Sequence, residues 1–157
     1  MKRAFFSTLT LVLLLSGCTL VPSQNVELSL GDIPFTWSVP KNIYSHLTVE
    51  TPSNEYSQYA TDAGAVAQTL VYYTPDSGSR TIFMGLYYFP TARFNAASRP
   101  DEPPSFGSKV IESDGMILSA AGPQDSIFDP ATQDGKNITE LYKNVYTAKS
   151  YTAIKNK

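Results

Sequence analysis

The most constraining feature of this sequence is a pair of β-rich segments separated by five turn-forming residues. The segments are 65–74 (AVAQTLVYYT) and 80–89 (RTIFMGLYYF), and Pro-Asp-Ser-Gly-Ser lies between them. Proline presets φ and glycine supplies a positive φ, so the arrangement predicts a β-hairpin. Both alternate sets of the second arm are apolar: Ile82, Met84, Leu86 and Tyr88 on one face, and Phe83, Tyr87 and Phe89 on the other. We therefore expect central strands that are covered on both faces.

Alternation of apolar and polar residues predicts further strands around this hairpin. It covers 26–30 and 33–39, and Pro40 is expected to end the second segment. Three apolar residues of that segment share one face: Phe35, Trp37 and Val39. Shorter strands are expected at 47–50, 109–112, 116–120 and 151–154, with an Asp-Gly turn between the second and third of these.

Helical signals are confined to two segments. Residues 91–97 predict a short helix capped by Thr91. Asn137 stands three residues before Glu140, as in a capping box, and apolar spacing predicts an amphipathic helix over 138–149. An antiparallel sheet built from hairpins, with a C-terminal amphipathic helix and one short helix, is an α+β fold. Three stretches are expected to be irregular: 51–61, 98–105 and 123–135.

Three stretches of the chain resemble the Mog1/PsbP-like domains of exported bacterial lipoproteins. They are Phe35-Thr36-Trp37-Ser38-Val39-Pro40, the hairpin over 71–89 and the C-terminal stretch 141–154. The resemblance covers most of the chain after residue 18 and consists of packing patterns, so no functional residue is carried over. It implies an α+β fold and, from the photosynthetic members, a non-catalytic accessory subunit that binds a larger complex.

The N-terminus predicts a lipoprotein signal peptide over residues 1–17. Lys2 and Arg3 precede an apolar run of about a dozen residues, which suits a signal peptide and falls short of the roughly 20 that span a bilayer. The run ends Leu15-Ser16-Gly17-Cys18, which resembles a bacterial lipobox. We expect cleavage between Gly17 and Cys18 and acylation of the Cys18 thiol.

Acylation would also explain why Cys18 is the only cysteine of the chain. A single cysteine excludes an intramolecular disulfide, so the domain over 26–157 depends on core packing. Two acyl chains make a stable anchor, since each buried methylene contributes about 0.8 kcal/mol. We expect residues 18–25 to tether the domain to the cell membrane or outer membrane, facing the periplasm or the exterior.

The charge of the mature chain argues against nucleic acid as a partner. Without Lys2 and Arg3, 10 basic residues remain against 14 acidic ones, and the net charge is about −4. No basic run occurs to follow a phosphate backbone. The partners expected are the membrane, through the lipid on Cys18, and an envelope protein.

No motif in the sequence predicts catalysis or a cofactor. His46 is the only histidine, and a hydrolytic triad would need it beside a nucleophilic serine and a carboxylate. Ser45 is its neighbour, but adjacent residues of a strand point to opposite faces. The sequence contains no Gly-x-Ser-x-Gly elbow, and one histidine without a cysteine pair makes a zinc or copper site improbable.

The acidic segment 125–137 leaves two alternatives open. Asp125, Asp129 and Asp134 could hold calcium, although the register over 129–140 does not fit an EF-hand because Asp134 stands where its glycine is required. Two of the same carboxylates could instead serve a small glycan hydrolase if a cleft held them about 5–9 Å apart.

The paired tyrosines of the hairpin leave a third alternative. Tyr72, Tyr73, Tyr87 and Tyr88 could line a groove for a ligand, or they could pack cross-strand in the core. The leading hypothesis is a non-enzymatic envelope lipoprotein that binds a protein partner through its sheet or loops. A glycan hydrolase and a solute-binding lipoprotein are the alternatives.

Overall fold

The structure, a computed structural model, describes residues 24–53, 55–99, 102–123 and 125–154. Within them eight strands form two antiparallel sheets. The strands are β1 (Asn25–Ser29), β2 (Phe35–Pro40), β3 (Leu47–Glu50), β4 (Ala67–Tyr73), β5 (Thr81–Pro90), β6 (Ser108–Ser113), β7 (Met116–Ala121) and β8 (Tyr151–Ala153). The order is β1-β2-β8 in the smaller sheet and β3-β4-β5-β7-β6 in the larger one.

Helices connect these strands and close the fold. The same residues contain four α-helices and one 3₁₀ turn: α1 (Lys41–Tyr44), α2 (Glu55–Asp62), α3 (Thr91–Ala97), α4 (Gln133–Val145) and the turn Ala148–Ser150. The predicted α+β class, the two hairpins and the C-terminal amphipathic helix are confirmed. In the described part of the chain, every helix is too short or too polar to cross a bilayer. The predicted signal peptide and Cys18 lie outside the described residues.

The main core lies between the inner face of the larger sheet, the smaller sheet and α4. Trp37 of β2 is fully buried and stacks on Phe83 of β5 and on Tyr151 of β8, with centroids 6.4 and 6.2 Å away. Its indole Nε1 donates a hydrogen bond to Asn144 Oδ1 of α4. One side chain thus connects both sheets and the helix, and the predicted inward face of β2 is confirmed.

A second, smaller core lies on the outer face of the larger sheet, where α2 and α3 cover one end. Phe89 of β5 contacts Phe94 of α3 and Phe106, with centroids 5.9 and 4.9 Å away. Ala60 of α2 and Ile117 of β7 are buried in the same cluster. The prediction that β5 is central and covered on both faces therefore holds for this end of the strand.

The other end of β5 does not follow the predicted alternation. Val71 pairs with Met84 but Tyr72 pairs with Ile82, so Phe83 is an extra residue in a β-bulge. On the N-terminal side of the bulge the alternation is reversed. Phe83 is fully buried with Met84 in the main core, whereas Ile82 lies on the outer face and is 43% exposed. The assignments of Ile82 to the Met84 face and of Phe83 to the Phe89 face were therefore wrong.

Three local predictions were also wrong. The polar stretch 51–61 contains most of α2, because Ala60 packs under it against Phe89 and outweighs the loop-like composition. Thr91 is the first residue of α3, and Pro90 occupies the cap position without a side-chain hydrogen bond. Helix α4 begins four residues before Asn137, because Thr132 Oγ1 accepts the Gly135 amide at 3.1 Å and caps the helix there.

Candidate functional site

The four tyrosines of the hairpin divide between the two faces of the larger sheet. Tyr73 is fully buried, and Tyr88 packs edge-on against Phe35, so both belong to the main core. Tyr72 and Tyr87 lie on the outer face, as the strand alternation from Val71 and Leu86 requires. Two of the four tyrosines predicted as a ligand surface are therefore core residues, and only Tyr72 and Tyr87 can contribute to such a surface.

The uncovered end of the outer face forms an apolar groove of about 260 Å³. Gly85 has no side chain, and the Tyr87 side chain lies over it. A Cβ at Gly85 would be 2.8 Å from the Tyr87 hydroxyl. Burial raises the pKa of Tyr87 above that of a free tyrosine. We call this surface the Ile82 groove, and its lining residues are Leu70, Ile82, Gly85, Tyr87, Ala121, Gly122 and Pro123.

A charged and aromatic cluster stands on the same face next to the Ile82 groove. The Arg80 guanidinium carbon lies 4.4 Å from the centre of the Tyr72 ring, within the range of a cation–π contact. Arg80 also forms a two-point hydrogen-bonded ion pair with Glu50 of β3. These contacts link Arg80, the residue before β5, to β3 and β4 and restrict its side chain.

A larger cavity of about 460 Å³ lies between α2 and α3 at the covered end of the sheet. Its wall includes Tyr59, Asp62, Arg93, Arg99, Glu102 and Phe106. None of these residues is among the site residues predicted from the sequence. The helical spacing of Tyr56, Tyr59, Ala60 and Ala63 could have indicated the α2 wall, although most of it lies in the predicted loop 51–61. No local pattern indicates that the later residues face this wall.

His46 is part of a polar cluster at one end of the main core. Its Nδ1 donates to the Thr74 carbonyl at 2.8 Å, and its ring stacks on Tyr73 at 5.3 Å. Its Nε2 lies 3.9 Å from Asp76, whose side chain is 78% exposed. None of these contacts involves a serine or cysteine nucleophile, so the described contacts of His46 are those of a packed and hydrogen-bonded side chain.

Tyr73 connects β4 to the first turns of α4 through two hydrogen bonds. Its hydroxyl donates to Asp134 Oδ1 at 2.7 Å and accepts from Asn137 Nδ2 at 2.9 Å. The buried Asn137 uses its Oδ1 to accept from Gln133 at 2.9 Å. Burial is the largest cause that raises the pKa of Tyr73, to about 12.

The acidic residues proposed for calcium or glycan chemistry have separate environments. Asp129 Oδ1 accepts the amide of Ala131 at 2.9 Å and so shapes the turn before α4. Asp134 bonds to Tyr73, and Asp125 is exposed. Across the ranges that the structure describes, no group of three or more His, Cys, Asp or Glu residues is arranged to hold a metal ion.

Comparison with known proteins adds no relative to this geometry. Protein-family models, curated proteins and solved structures were all searched, and none matches the chain. The surfaces of the molecule are therefore the basis for assigning a function.

Proposed function

We propose that the protein is a lipid-anchored, non-catalytic module of a bacterial cell envelope that binds a protein partner through the Ile82 groove. The supporting observation is the exposed apolar surface on the outer face of the larger sheet, which α2 and α3 leave uncovered. The groove is small, and its volume of about 260 Å³ suits a single apolar side chain of a partner.

The composition of this surface suits a protein partner. Tyrosine and arginine are the residues most enriched among those that dominate binding energy, and Tyr72, Arg80 and Tyr87 lie on one face. Arg80 is already ordered by Glu50 and Tyr72, so binding costs little additional side-chain entropy. An apolar side chain of the partner would enter the Ile82 groove, and a neutral hydrogen-bond acceptor of the partner would meet the N–H groups of Arg80 that Glu50 leaves free.

The proposed anchor places this surface close to a membrane. The predicted lipid-bearing residue Cys18 precedes the first residue of β1, Asn25, by seven residues. Seven residues of extended chain reach at most roughly 25 Å. Partners would therefore be proteins in the same membrane or at its surface. Metabolic labelling with a clickable palmitate analogue, compared between the native chain and Cys18→Ala, tests the anchor by itself.

Site-specific photo-cross-linking tests the binding surface. A benzoyl-phenylalanine at position 82 of the full lipidated chain, in its own membranes, should give one discrete adduct. Position 154 is the matched control, since Ile154 is 46% exposed and Ile82 is 43% exposed, and Ile154 follows β8 of the smaller sheet. We expect no adduct from position 154.

The groove itself is tested by a change on a neighbouring strand. Leu70→Glu adds a charge to the Ile82 groove without removing the cross-linker, and it should abolish the adduct from position 82. Equal adducts from positions 82 and 154, or an adduct that survives Leu70→Glu, would refute the groove as the binding surface. Loss of palmitate labelling in Cys18→Ala bears only on the anchor.

A further inference from the structure

The cavity between α2 and α3 has a composition that differs from that of the Ile82 groove. Its volume of about 460 Å³ falls within the roughly 300–1,000 Å³ of small-molecule pockets. Aromatic rings form one part of its wall, and two arginines and two acids form another. Such a combination offers a flat apolar surface together with hydrogen-bonding groups of both signs.

The aromatic wall is supported from behind. Tyr59 stacks on Phe106 with centroids 5.3 Å apart and ring planes 25° apart. Phe106 is 4% exposed and packs against Phe89 and Tyr87, whereas Tyr59 is 59% exposed. The Tyr59 ring is therefore held by the outer-face core while much of its surface stays open to a ligand.

The charged side chains of the wall also contact other parts of the protein. The aliphatic part of the Arg93 side chain lies against Gly64. A Cβ at Gly64 would be 3.0 Å from both Cγ and Cδ of Arg93. Arg99 is paired with Glu102 at 2.8 Å. Asp62 accepts a hydrogen bond from Gln58 at 2.7 Å. The packing of its stem restricts Arg93, so this side chain loses less entropy on binding.

We infer that this cavity binds a sugar ring that carries one carboxylate. The apolar face of a pyranose would stack on Tyr59, and the Arg93 guanidinium matches a carboxylate with two parallel hydrogen bonds. The ring hydroxyls donate to Asp62 and Glu102 and accept from Arg99. Arg93 and Arg99 balance the charges of Asp62 and Glu102, so the wall suits a ligand with one negative charge better than a phosphate or another multiply charged anion, which the two acids repel more strongly.

The inference does not depend on the Ile82 groove or on the lipid anchor. Isothermal titration calorimetry of the full chain with methyl β-D-glucuronide and with methyl β-D-glucoside tests it directly. The two probes share the ring and differ by the carboxylate. We expect saturable binding of the glucuronide and at least tenfold weaker binding of the glucoside.

Two substitutions with matched controls locate the site. Arg93→Gln should weaken glucuronide binding at least tenfold and leave glucoside binding unchanged, whereas Lys149→Gln, a charge loss at an exposed position outside the cavity, should change the binding of neither probe. Tyr59→Ala should weaken the binding of both probes. Tyr44 is also an exposed tyrosine, and Tyr44→Ala should weaken the binding of neither. Arg93 is exposed, so its replacement should preserve the fold. Absence of saturable glucuronide binding, equal affinity for the two probes, or indifference to Arg93→Gln would overturn the inference.

Discussion

Replacing Tyr73 by phenylalanine removes one oxygen atom and two hydrogen bonds. The hydroxyl donates to Asp134 at 2.7 Å and accepts from Asn137 at 2.9 Å, so Tyr73→Phe leaves a buried amide donor without that partner. A hydrogen bond to a charged group contributes about 1.5–3 kcal/mol and a neutral one about 0.5–1.5 kcal/mol. We therefore expect the free energy of unfolding to fall by about 2–4 kcal/mol.

Urea unfolding of the full chain, followed by the fluorescence of Trp37, measures this loss. Trp37 is the only tryptophan and is fully buried, so its emission reports on the main core. Tyr72→Phe is the matched control: Tyr72 lies on the outer face, and phenylalanine keeps the ring under Arg80. We expect it to change stability by less than about 0.5 kcal/mol. A Tyr73→Phe effect no larger than that of Tyr72→Phe would mean that the two hydrogen bonds of Tyr73 do not stabilise the fold.

Two further predictions concern backbone space and pH. Gly107→Ala should lower the free energy of unfolding by more than about 2 kcal/mol, because the new Cβ would lie 1.9 Å from the Ala120 carbonyl oxygen. Gly115 also has a positive φ but has nothing within 4 Å of a new Cβ, so Gly115→Ala should lower it by about 1 kcal/mol. Similar urea midpoints for the two variants would contradict this prediction. The folded state raises the pKa of Tyr73 from 10.0 to about 12, so it holds the hydroxyl proton more tightly than the unfolded state does. The contribution of this group to stability should therefore be constant below pH 10 and be lost between pH 10 and about 12. The alkaline decline should be shallower in Tyr73→Phe, and an unchanged slope would contradict the assignment.

Periodicity predicted most of the fold because it reflects local geometry. The hairpin of β4 and β5 and the inward face of β2 follow from alternation and turn residues, which act over a few positions. Helix α2 could not be predicted in this way. Its composition favours a loop, and its stability comes from Ala60 and the outer-face core, which includes the distant Phe106.

The candidate sites were less predictable than the fold. Tyr72 and Tyr87 were proposed as a ligand surface together with Tyr73 and Tyr88, and the strand pairing separates the first two from the others. The β-bulge at Phe83 then brings Ile82 to the same face as Tyr87, which no local pattern indicates. The cavity between α2 and α3 combines residues from 59 to 106, so it exists only after the chain has folded.

Local sequence patterns were sufficient to predict the α+β class and the order of most elements, and they also predict a lipid anchor at Cys18. Each of these depends on neighbouring residues: a periodicity, a turn, or a short motif. The tertiary structure decided which tyrosines are buried, where Ile82 points and what surrounds Tyr59 and Arg93. Those outcomes depend on contacts between residues far apart in the chain, because packing and strand register decide which face each side chain occupies.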